Sequence, residues 1–324
     1  MKKQLIIPTG EGLITPADLG GNNRSGEIYL ANEARFTSAN FSQPLTAYSV
    51  GWKDSEDIKA TLDFIAPEVP VGRRFEFKNA TNSEEFLSET DDIRAIGSPF
   101  KRVEFKGTST NEKTYNKGLT IRIDKDDMLD GDEERATMRL KTRLLRNDLR
   151  RAMTALLAID NSGTAYTWNS SGTPDSNVMN RIDAAGDSSG INPNRIVYGF
   201  AAWLLRRTSY EAQATAGAFA GLNATVQEVA QRLGLSGGRV SSERYQSSAT
   251  AKSKTIGAYF VVFNAADGVG KDDPTNLKRF VTPVGDMGLR VYREEHDKFI
   301  DISVEHYSNV VTTATVGAKK GNIS

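Results

Sequence analysis

The chain contains no cysteine and only two histidines among its 324 residues. Without cysteine it has no disulfide, no thiolate metal ligand and no cysteine nucleophile, and it is indifferent to the redox state of its compartment. The chain also has no excess of positive or negative charge, because lysine plus arginine and aspartate plus glutamate each total 41 residues. The surface as a whole is therefore not specialised for nucleic acid, a membrane or an acidic ligand, although local patches remain open.

Long apolar runs are also missing. The nearest candidate, IGAYFVVF at residues 256–263, is far shorter than the roughly 18 apolar residues that indicate a membrane-spanning helix. Near the N-terminus the apolar run stops at Ile7, before a proline, and is too short for the core of a secretory signal. With 38% apolar and 25% charged residues, the composition is that of an ordinary globular protein, and we predict a soluble, cytoplasmic one.

The first 72 residues predict little core. Residues 1–50 are rich in Gly, Asn, Ser and Thr, with irregular apolar spacing, and we predict an arm that orders against a neighbour. Residues 51–72 predict a short helix and a connection. The helix has apolar residues at positions 58, 62 and 65 and must end before Pro67, which disfavours a helical conformation in the residue before it.

Residues 73–126 change to a period of two. The segments RRFEFK, FKRVEFKG and GLTIRIDKDD alternate polar and apolar residues and predict long, half-exposed strands. The stretches between them are polar and carry too little apolar surface for a core of their own. We therefore predict an extended loop that packs on another subunit, and expect excision of residues 79–118 to cost the single subunit little stability.

A helix of 28 residues is predicted at 132–159. Apolar side chains recur along one face at spacings of three and four, and acidic residues occupy the first turn, where the helix dipole favours them. A second face carries four arginines, which are either solvated or paired with acidic segments of neighbouring subunits. The candidate inter-subunit contacts are Arg139, Arg143, Arg146, Arg150, Glu84, Glu85, Asp91 and Asp92.

The remainder of the chain mixes strands and helices. Residues 196–198 predict a short buried strand that ends at Gly199, and a helix follows. Residues 225–235 predict a helix that begins with a capping box of Thr225 and Glu228 and stops at a glycine. Further strands are predicted at residues 256–263, 279–284 and 300–304.

No catalytic, metal-binding or cofactor-binding residue is predicted. His296 and His306 would lie about 30 Å apart on a continuous strand, so we expect surface polar residues there. The segment DKDDMLDGDEE fails the calcium-loop pattern at Met128 and Thr137, and GVGKDD fails the phosphate-loop pattern at Asp272. A G-x-S-x-G elbow is missing as well. The sequence therefore predicts a protein that is not an enzyme.

The order of these parts resembles the major capsid protein of tailed bacteriophages, the Hong Kong 97-type shell protein. The resemblance covers about residues 54–311. It is carried by IAPEVPV, by DDIRAIGSPFKRVEF and TYNKGLTIRIDKDD in the place of the extended loop, by the long helix, by NPNRIVYGFAAWLL, by TVQEVAQRLGL and by RVYREEHDKFIDISVEH. Each segment alone is weakly specific, and it is their order and spacing that indicate the family.

The resemblance implies an α+β fold with an N-terminal arm, an extended β-hairpin loop, a long spine helix, and peripheral and axial domains. The implied domains are an arm at 1–50, a short helix and connection at 51–72, an extended loop at 73–126, a peripheral domain at 127–200 and 275–324 that contains the spine helix 132–159, and an axial domain at 201–274. The implied function is a structural one, self-assembly into an icosahedral shell around the genome, with no cofactor.

The implied partners are copies of the chain in pentamers and hexamers, a separate scaffolding protein, a portal, a decoration protein and packaged double-stranded DNA bound without sequence specificity, and no membrane. The expected location is the virion capsid, assembled in the host cytoplasm. Some members of the family are crosslinked through a loop lysine, but ordinary surface lysines are expected here, at Lys101, Lys106, Lys113 and Lys117.

Two other interpretations remain open. An encapsulin-like bacterial compartment shell shares the fold and encloses enzyme cargo in place of DNA. A soluble hydrolase is the candidate from a different class.

Overall fold

The computed structural model describes residues 40–51, 58–79, 96–97, 99, 108–213, 215–248, 250–266, 270–283 and 288–324. Most of the predicted arm and the middle of the predicted loop lie outside these residues. So do the four acidic contact candidates, Glu84, Glu85, Asp91 and Asp92. Residues 41–324 form one unit, which contains two five-stranded sheets.

Part of the predicted arm is a helix. This helix, α1, spans Gln43–Gly51. Its buried positions are Leu45, Thr46 and Ser49, so two of the three are polar. The helix therefore has no apolar periodicity, and the prediction of an extended arm up to residue 50 is wrong at its C-terminal end.

The second helix, α2, spans Ile58–Ile65, as predicted. Its apolar face is fully buried, and Leu62 packs in one core cluster with Leu149 and Met153 of the long helix that follows in the chain. Burial of these side chains stabilises the unit by roughly 1.5–3 kcal/mol for each large apolar residue.

The long helix, α3, spans Asp132–Ile159, the predicted bounds. It begins after Gly131, whose φ of 82° is a left-handed conformation that glycine adopts without strain. At a rise of 1.5 Å per residue its length is about 42 Å. The buried face consists of Ala136, Thr137, Leu140, Lys141, Leu144, Asp148, Leu149, Ala152, Met153 and Leu156.

The first sheet lies against α3. Its strands are β1 (Glu68–Pro70), β11 (Leu277–Thr282), β13 (Phe299–Thr312) and β12 (Arg290–Glu295), in that order, and β4 (Tyr115–Asp124) also pairs with β13. Only the β1 and β11 pair is parallel among these pairings. The long strand β13 thus holds three other strands in register.

The alternating face of β13 packs on the long helix, as the pattern predicts. Ile300, Ile302 and Val304 form a core cluster with Leu140 and Leu144 of α3. The side chains on the other face of the strand include Asp301 and Ser303, which follows from the period of two.

The C-terminal strand of the predicted loop belongs to this same core. Leu119, Ile121 and Ile123 of β4 pack against the cluster between β13 and α3. The prediction that residues 73–126 form a loop on another subunit is therefore wrong for β4. Alternation identifies a half-buried strand, but it does not reveal which layer covers it.

The base of the loop also packs on its own subunit. Strands β2 (Arg74–Asn79) and β3 (Thr108–Lys113) form an antiparallel ribbon. The rings of Phe75 and Phe77 lie 4.3 and 5.6 Å from the ring of Phe280 in β11. These three aromatic side chains give the ribbon an apolar anchor that we did not predict.

The predicted excision of residues 79–118 would remove part of this core. Thr114 and Lys117 lie within that range, and both contact the first sheet: the Thr114 hydroxyl is 2.7 Å from the Thr282 hydroxyl, and Lys117 donates to Ser308. The expectation that the excision would cost the subunit little stability is therefore wrong for the last residues of the range.

The second sheet follows the order β5 (Thr164–Tyr166), β14 (Lys319–Ile323), β10 (Tyr259–Phe263), β6 (Arg195–Gly199) and β7 (Gly237–Ser241). The predicted buried strand at 196–198 is β6, and all of its residues are buried. The predicted apolar strand at 256–263 is β10, which begins three residues later than predicted.

Four helices accompany this sheet: α4 (Pro174–Ser189), α5 (Phe200–Glu211), α6 (Ala216–Asn223) and α7 (Val226–Arg232). The capping box predicted for α7 is present, with Thr225 accepting from the Glu228 backbone N–H and Glu228 accepting from the Thr225 backbone N–H. Two short strands, β8 (Arg244–Gln246) and β9 (Lys252–Lys254), form a separate ribbon.

The predicted domain boundaries cut through the second sheet. Strands β5, β6 and β14 fall in the predicted peripheral ranges, 127–200 and 275–324, whereas β7 and β10 fall in the predicted axial range, 201–274. A hydrogen-bonded sheet is one structural layer, so the boundary at residue 200 is misplaced. The second layer begins after α3 ends and includes β14. Among the described residues, no helix combines the length and the apolar composition that spanning a bilayer requires.

Candidate functional site

The arginine face of α3 divides into two pairs. Arg139 and Arg143, one turn apart, are exposed, and neither has an ion-pair partner within the described ranges. In the other pair, Arg146 Nε lies 3.1 Å from Glu243 Oε2, and the Arg150 guanidinium lies 3.8 Å from the centre of the Tyr245 ring.

Arg146 and Arg150 have contacts within their own chain. Their partners belong to the segment that follows β7, and the role of these two arginines as inter-subunit contacts stays a prediction. Helical periodicity places the four arginines on one stripe. It carries no information about Glu243, which lies 97 residues from Arg146 in the chain and accepts its hydrogen bond.

An open groove of about 470 Å³ runs along this face of α3. It is lined by Arg135, Met138, Arg139, Thr142, Arg143 and Arg146. Arg135 is paired with Asp132 at 2.9 Å. The net positive charge of the groove therefore comes mainly from Arg139 and Arg143, and it favours an anionic or acidic surface as its occupant.

A second feature of α3 is a buried charged network around Asp148. The side chain of Asp148 is fully buried. Its Oδ1 atom accepts from Lys117 Nζ at 2.7 Å and from Arg151 Nη1 at 2.8 Å. Its Oδ2 atom accepts from His306 Nε2 at 3.0 Å and from the Ser308 hydroxyl at 2.9 Å. The network thus joins α3 to β4 and β13.

The ionisation of this network is set by opposing effects. Burial would raise the pKa of Asp148, but the hydrogen bond from His306 and the charge of Lys117 hold this pKa far below its usual range. Burial lowers the pKa of Lys117, against the opposite effect of Asp148. Because a carboxylate only accepts, His306 carries a proton on Nε2. The network therefore places a buried charge, that of Asp148, in the core, with the exposed Arg151 at its edge.

Two residues of the network contradict their prediction as surface groups. His306 and Lys117 were both expected on the surface, yet His306 is buried and Lys117 is mostly buried against Asp148. His296, in the turn between β12 and β13, is one-third exposed. The chain folds back at this turn, and it leaves the two histidines on different parts of the sheet.

The helices α5 and α6 carry an exposed apolar patch. Its members are Phe200, Leu204 and Phe219, which are 42%, 52% and 70% exposed. Phe200 and Leu204 are one turn apart on α5, so they lie on the same face. The two helices pack against each other. Exposed large apolar side chains on two neighbouring helices are typical of a surface that another protein covers.

A buried arginine holds the helices of this patch in place. Arg206 has no exposed surface, and its guanidinium binds both carboxylate oxygens of Asp175 in α4, at 2.9 and 3.0 Å. It also donates to the Gly221 carbonyl of α6 at 3.0 Å. Three helices are therefore fixed by one side chain, which makes the patch a preorganised surface.

Comparison with known proteins identifies the fold. No family model and no curated protein matches the sequence. A solved phage-related protein from Bordetella bronchiseptica RB50 is similar over 87% of this chain and 96% of its own length, at 13% identity and a TM-score of 0.64. The fold is of the Hong Kong 97 type.

Two more distant solved structures also match. A virus-like particle from Pyrococcus furiosus covers 87% of this chain and 99% of its own length, at 12% identity and a TM-score of 0.48. A putative capsid protein of a prophage from E. coli CFT073 covers 88% and 99%, at 14% identity and a TM-score of 0.46.

The Hong Kong 97-type fold agrees with the predicted order of parts, in which α3 is the spine helix. With 13% identity to the Bordetella protein, the chains share the arrangement of elements and few side chains. This explains why the order and spacing of segments predict the fold although no single motif does.

The Asp148 network is not predicted above, although the sequence carries a signal for it. Asp148 lies one turn after Leu144, on the apolar face of α3. Lys117 has the same parity as Leu119 in β4, and His306 has the same parity as Val304 in β13. Polar residues that continue an apolar stripe must find partners in the core.

Proposed function

We propose that the chain is the major capsid protein of a tailed bacteriophage, a structural subunit that assembles into an icosahedral shell around the genome. The observation that carries the proposal is the Hong Kong 97-type fold, which extends over 87% of the chain. A non-enzymatic role agrees with the placement of Asp148 and His306, which are buried in the core, where a substrate does not reach them.

Two surfaces of the subunit are the candidate contacts between copies. The first is the groove along α3, where Arg139 and Arg143 would pair with acidic residues of a neighbouring subunit, namely Glu84, Glu85, Asp91 and Asp92. Its support is the positive charge of the groove and the lack of a partner for these two arginines among the described residues. The second is the apolar patch on α5 and α6.

The proposal includes a division into two domains, with corrected boundaries. The peripheral domain would comprise α3 and the first sheet. The axial domain would comprise the second sheet with α4 to α7, including β14. This division follows the sheets and not the predicted boundary at residue 200.

The proposed partners are copies of the chain, a separate scaffolding protein, a portal, a decoration protein and packaged double-stranded DNA. Because the formal net charge of the chain is zero, DNA would be held by local basic patches, without sequence specificity. The proposed location is the virion capsid, assembled in the host cytoplasm.

The test is to express the chain alone and with its genomic neighbours, and to analyse both by sedimentation velocity and negative-stain electron microscopy. We expect rings of five or six subunits or closed shells. A chain that stays monomeric across salt, pH and concentration, with the neighbours present, would contradict the proposal.

The content of the shells distinguishes a capsid from a compartment. A portal ring at one vertex, found by asymmetric reconstruction of particles made with the genomic neighbours, supports the capsid. Shells that instead enclose an enzyme, identified by mass spectrometry, support an encapsulin-like compartment.

A further inference from the structure

The turn between β12 and β13 brings a histidine and two carboxylates together. Glu294 lies directly opposite Asp301 in the antiparallel ladder. The backbone N–H of His296 donates to the Phe299 carbonyl at 2.9 Å, so the pairing continues to His296. Because His296 follows Glu294 by two residues, both side chains lie on the same side of the strand. The potential ligand atoms of the three residues all lie within 4.8 Å of one another.

The imidazole of His296 is positioned for a ligand. Its Nε2 atom lies 3.4 Å from Glu294 Oε1. This nitrogen is buried and has no hydrogen-bond partner among the described residues. A tetrahedral ion with bonds of about 2.1 Å separates two of its ligand atoms by about 3.4 Å. The observed spacing of nitrogen and oxygen is therefore that of two groups that share one ion.

We propose that Glu294, His296 and Asp301 bind a divalent transition-metal ion, for which Zn²⁺ is the best fit. One imidazole and two carboxylates suit Zn²⁺, whereas Mg²⁺ and Ca²⁺ prefer sites made only of oxygen. Water would complete the coordination. The inference does not depend on the proposed capsid function, because it follows from the geometry of one turn.

The composition of the chain makes this the one accessible imidazole site. The sequence has no cysteine and two histidines. The other histidine, His306, is buried, and its Nε2 atom is bonded to Asp148. A Zn²⁺ ion that binds an exposed imidazole of the folded protein must therefore use His296.

Two neighbouring side chains shape the site. The His296 ring packs on the Phe299 ring, with 4.4 Å between their centres, which limits its rotation. Arg122 binds both oxygens of Asp301, at 2.9 and 3.0 Å. A carboxylate has about four acceptor positions, so Asp301 can bind a metal beside Arg122, but the nearby positive charge weakens the affinity.

The test is equilibrium dialysis of the untagged protein against Zn²⁺, with bound metal measured by elemental analysis. This method works for free subunits and for assembled shells. We expect one Zn²⁺ per chain, not displaced by millimolar Mg²⁺. The variant His296→Ala should bind at least tenfold more weakly. Arg122→Gln should bind more tightly than the wild type, because it removes the competing cation.

The matched control is Asp297→Asn, which removes a negative charge from the same exposed turn but lies outside the cluster. It should bind Zn²⁺ like the wild type. Circular dichroism would check that each variant is folded. A wild type without saturable Zn²⁺ binding, a His296→Ala variant with unchanged affinity, or a control that loses as much affinity as His296→Ala would each overturn the proposal.

Discussion

Asp148 is a single residue that fixes how α3 lies on the first sheet. Its two oxygens accept from Lys117 of β4 and from His306 and Ser308 of β13, so a shift of the helix along the sheet would break several charged hydrogen bonds at once. An apolar core of the same volume would give comparable or greater stability, so the network is not required for stability alone. We therefore interpret the network as a determinant of the position of the helix.

The first prediction concerns the stability of this network. The variant Asp148→Asn keeps the shape of the side chain but leaves the charge of Lys117 buried beside Arg151 without a counter-charge. We expect a loss of about 3 kcal/mol in the free energy of unfolding, measured by urea denaturation near pH 7. The control is Asp127→Asn in the exposed turn before α3, which should change stability by less than about 0.5 kcal/mol.

The pH dependence of the stability difference between the wild type and Asp148→Asn tests this prediction further. The pKa of Asp148 is lowered in the folded state, so below about pH 4 the unfolded chain binds a proton that the folded chain does not. The stability that Asp148 contributes is present above that pH and decreases as the pH falls. The difference between wild type and Asp148→Asn should therefore shrink from pH 6 to pH 3. A difference that stays constant would contradict a stabilising charge at this position.

A second residue-scale prediction concerns Gly199, at the junction of β6 and α5. A Cβ atom at this position would lie 1.8 Å from the Gly257 carbonyl oxygen, a backbone atom that cannot move without disturbing the sheet. We expect Gly199→Ala to lower the free energy of unfolding by about 2 kcal/mol or more. Gly217→Ala in α6 is the control, because no atom lies within 4 Å of the added Cβ, and it should be neutral or stabilising by up to about 1 kcal/mol. Equal effects of the two variants in thermal denaturation would contradict the steric argument.

At the scale of elements, α3 has two faces with different surroundings. Its apolar face packs on the subunit's own sheet, and its arginine face carries two exposed cations, Arg139 and Arg143. Since these two contact neither the core nor an ion-pair partner within the described part of the chain, a change of their charge should leave the fold intact.

The prediction for this face is that Arg139→Glu with Arg143→Glu preserves circular dichroism and the unfolding midpoint but impairs shell assembly. The reversed charges would repel the acidic residues that the groove is proposed to receive. The matched control, Arg139→Lys with Arg143→Lys, keeps the charge and should assemble. Normal shells from the glutamate variant at ordinary salt would identify this face as a solvated one.

The elements that the sequence predicts well are those with a local signal. The bounds of α3, the end of α2 before Pro67 and the capping box of α7 depend on residues within a few positions, and all three are confirmed. What the sequence could not predict depends on distant partners. The membership of β4 in the first sheet, the anchor of Phe77 on Phe280 and the sheet that joins β6 to β14 all link segments far apart in the chain.

The same distinction applies to the candidate contacts. Periodicity grouped four arginines correctly on one stripe, and only the tertiary structure separates Arg139 and Arg143 from the two that bind within the chain. The apolar patch was not predicted, because periodicity does not distinguish its face of the helix from the covered one. Phe200 and Leu204 lie in an apolar segment that the sequence predicts as a helix, and a helix with apolar residues on several faces gives no indication of which face is covered.

At the scale of the whole molecule, assembly requires surfaces that the subunit leaves exposed. The patch of Phe200, Leu204 and Phe219 meets this condition, since Arg206 holds its helices rigid while the apolar side chains stay accessible. A rigid apolar surface loses little conformational entropy when a second copy covers it, and burial of each large side chain then contributes roughly 1.5–3 kcal/mol to association.

The last prediction tests this surface. Leu204→Asp with Phe219→Asp should change the free energy of unfolding by no more than about 1 kcal/mol, because both side chains are already exposed in the subunit. The double variant should fail to form rings or shells, since each contact would bury an unpaired carboxylate. Leu129→Asp, at a 68% exposed leucine in the turn before α3, introduces the same chemistry elsewhere and should assemble normally. Sedimentation velocity at several concentrations measures the assembly, and thermal denaturation measures the fold. Shells that close with both aspartates present would show that the patch is not a contact between subunits.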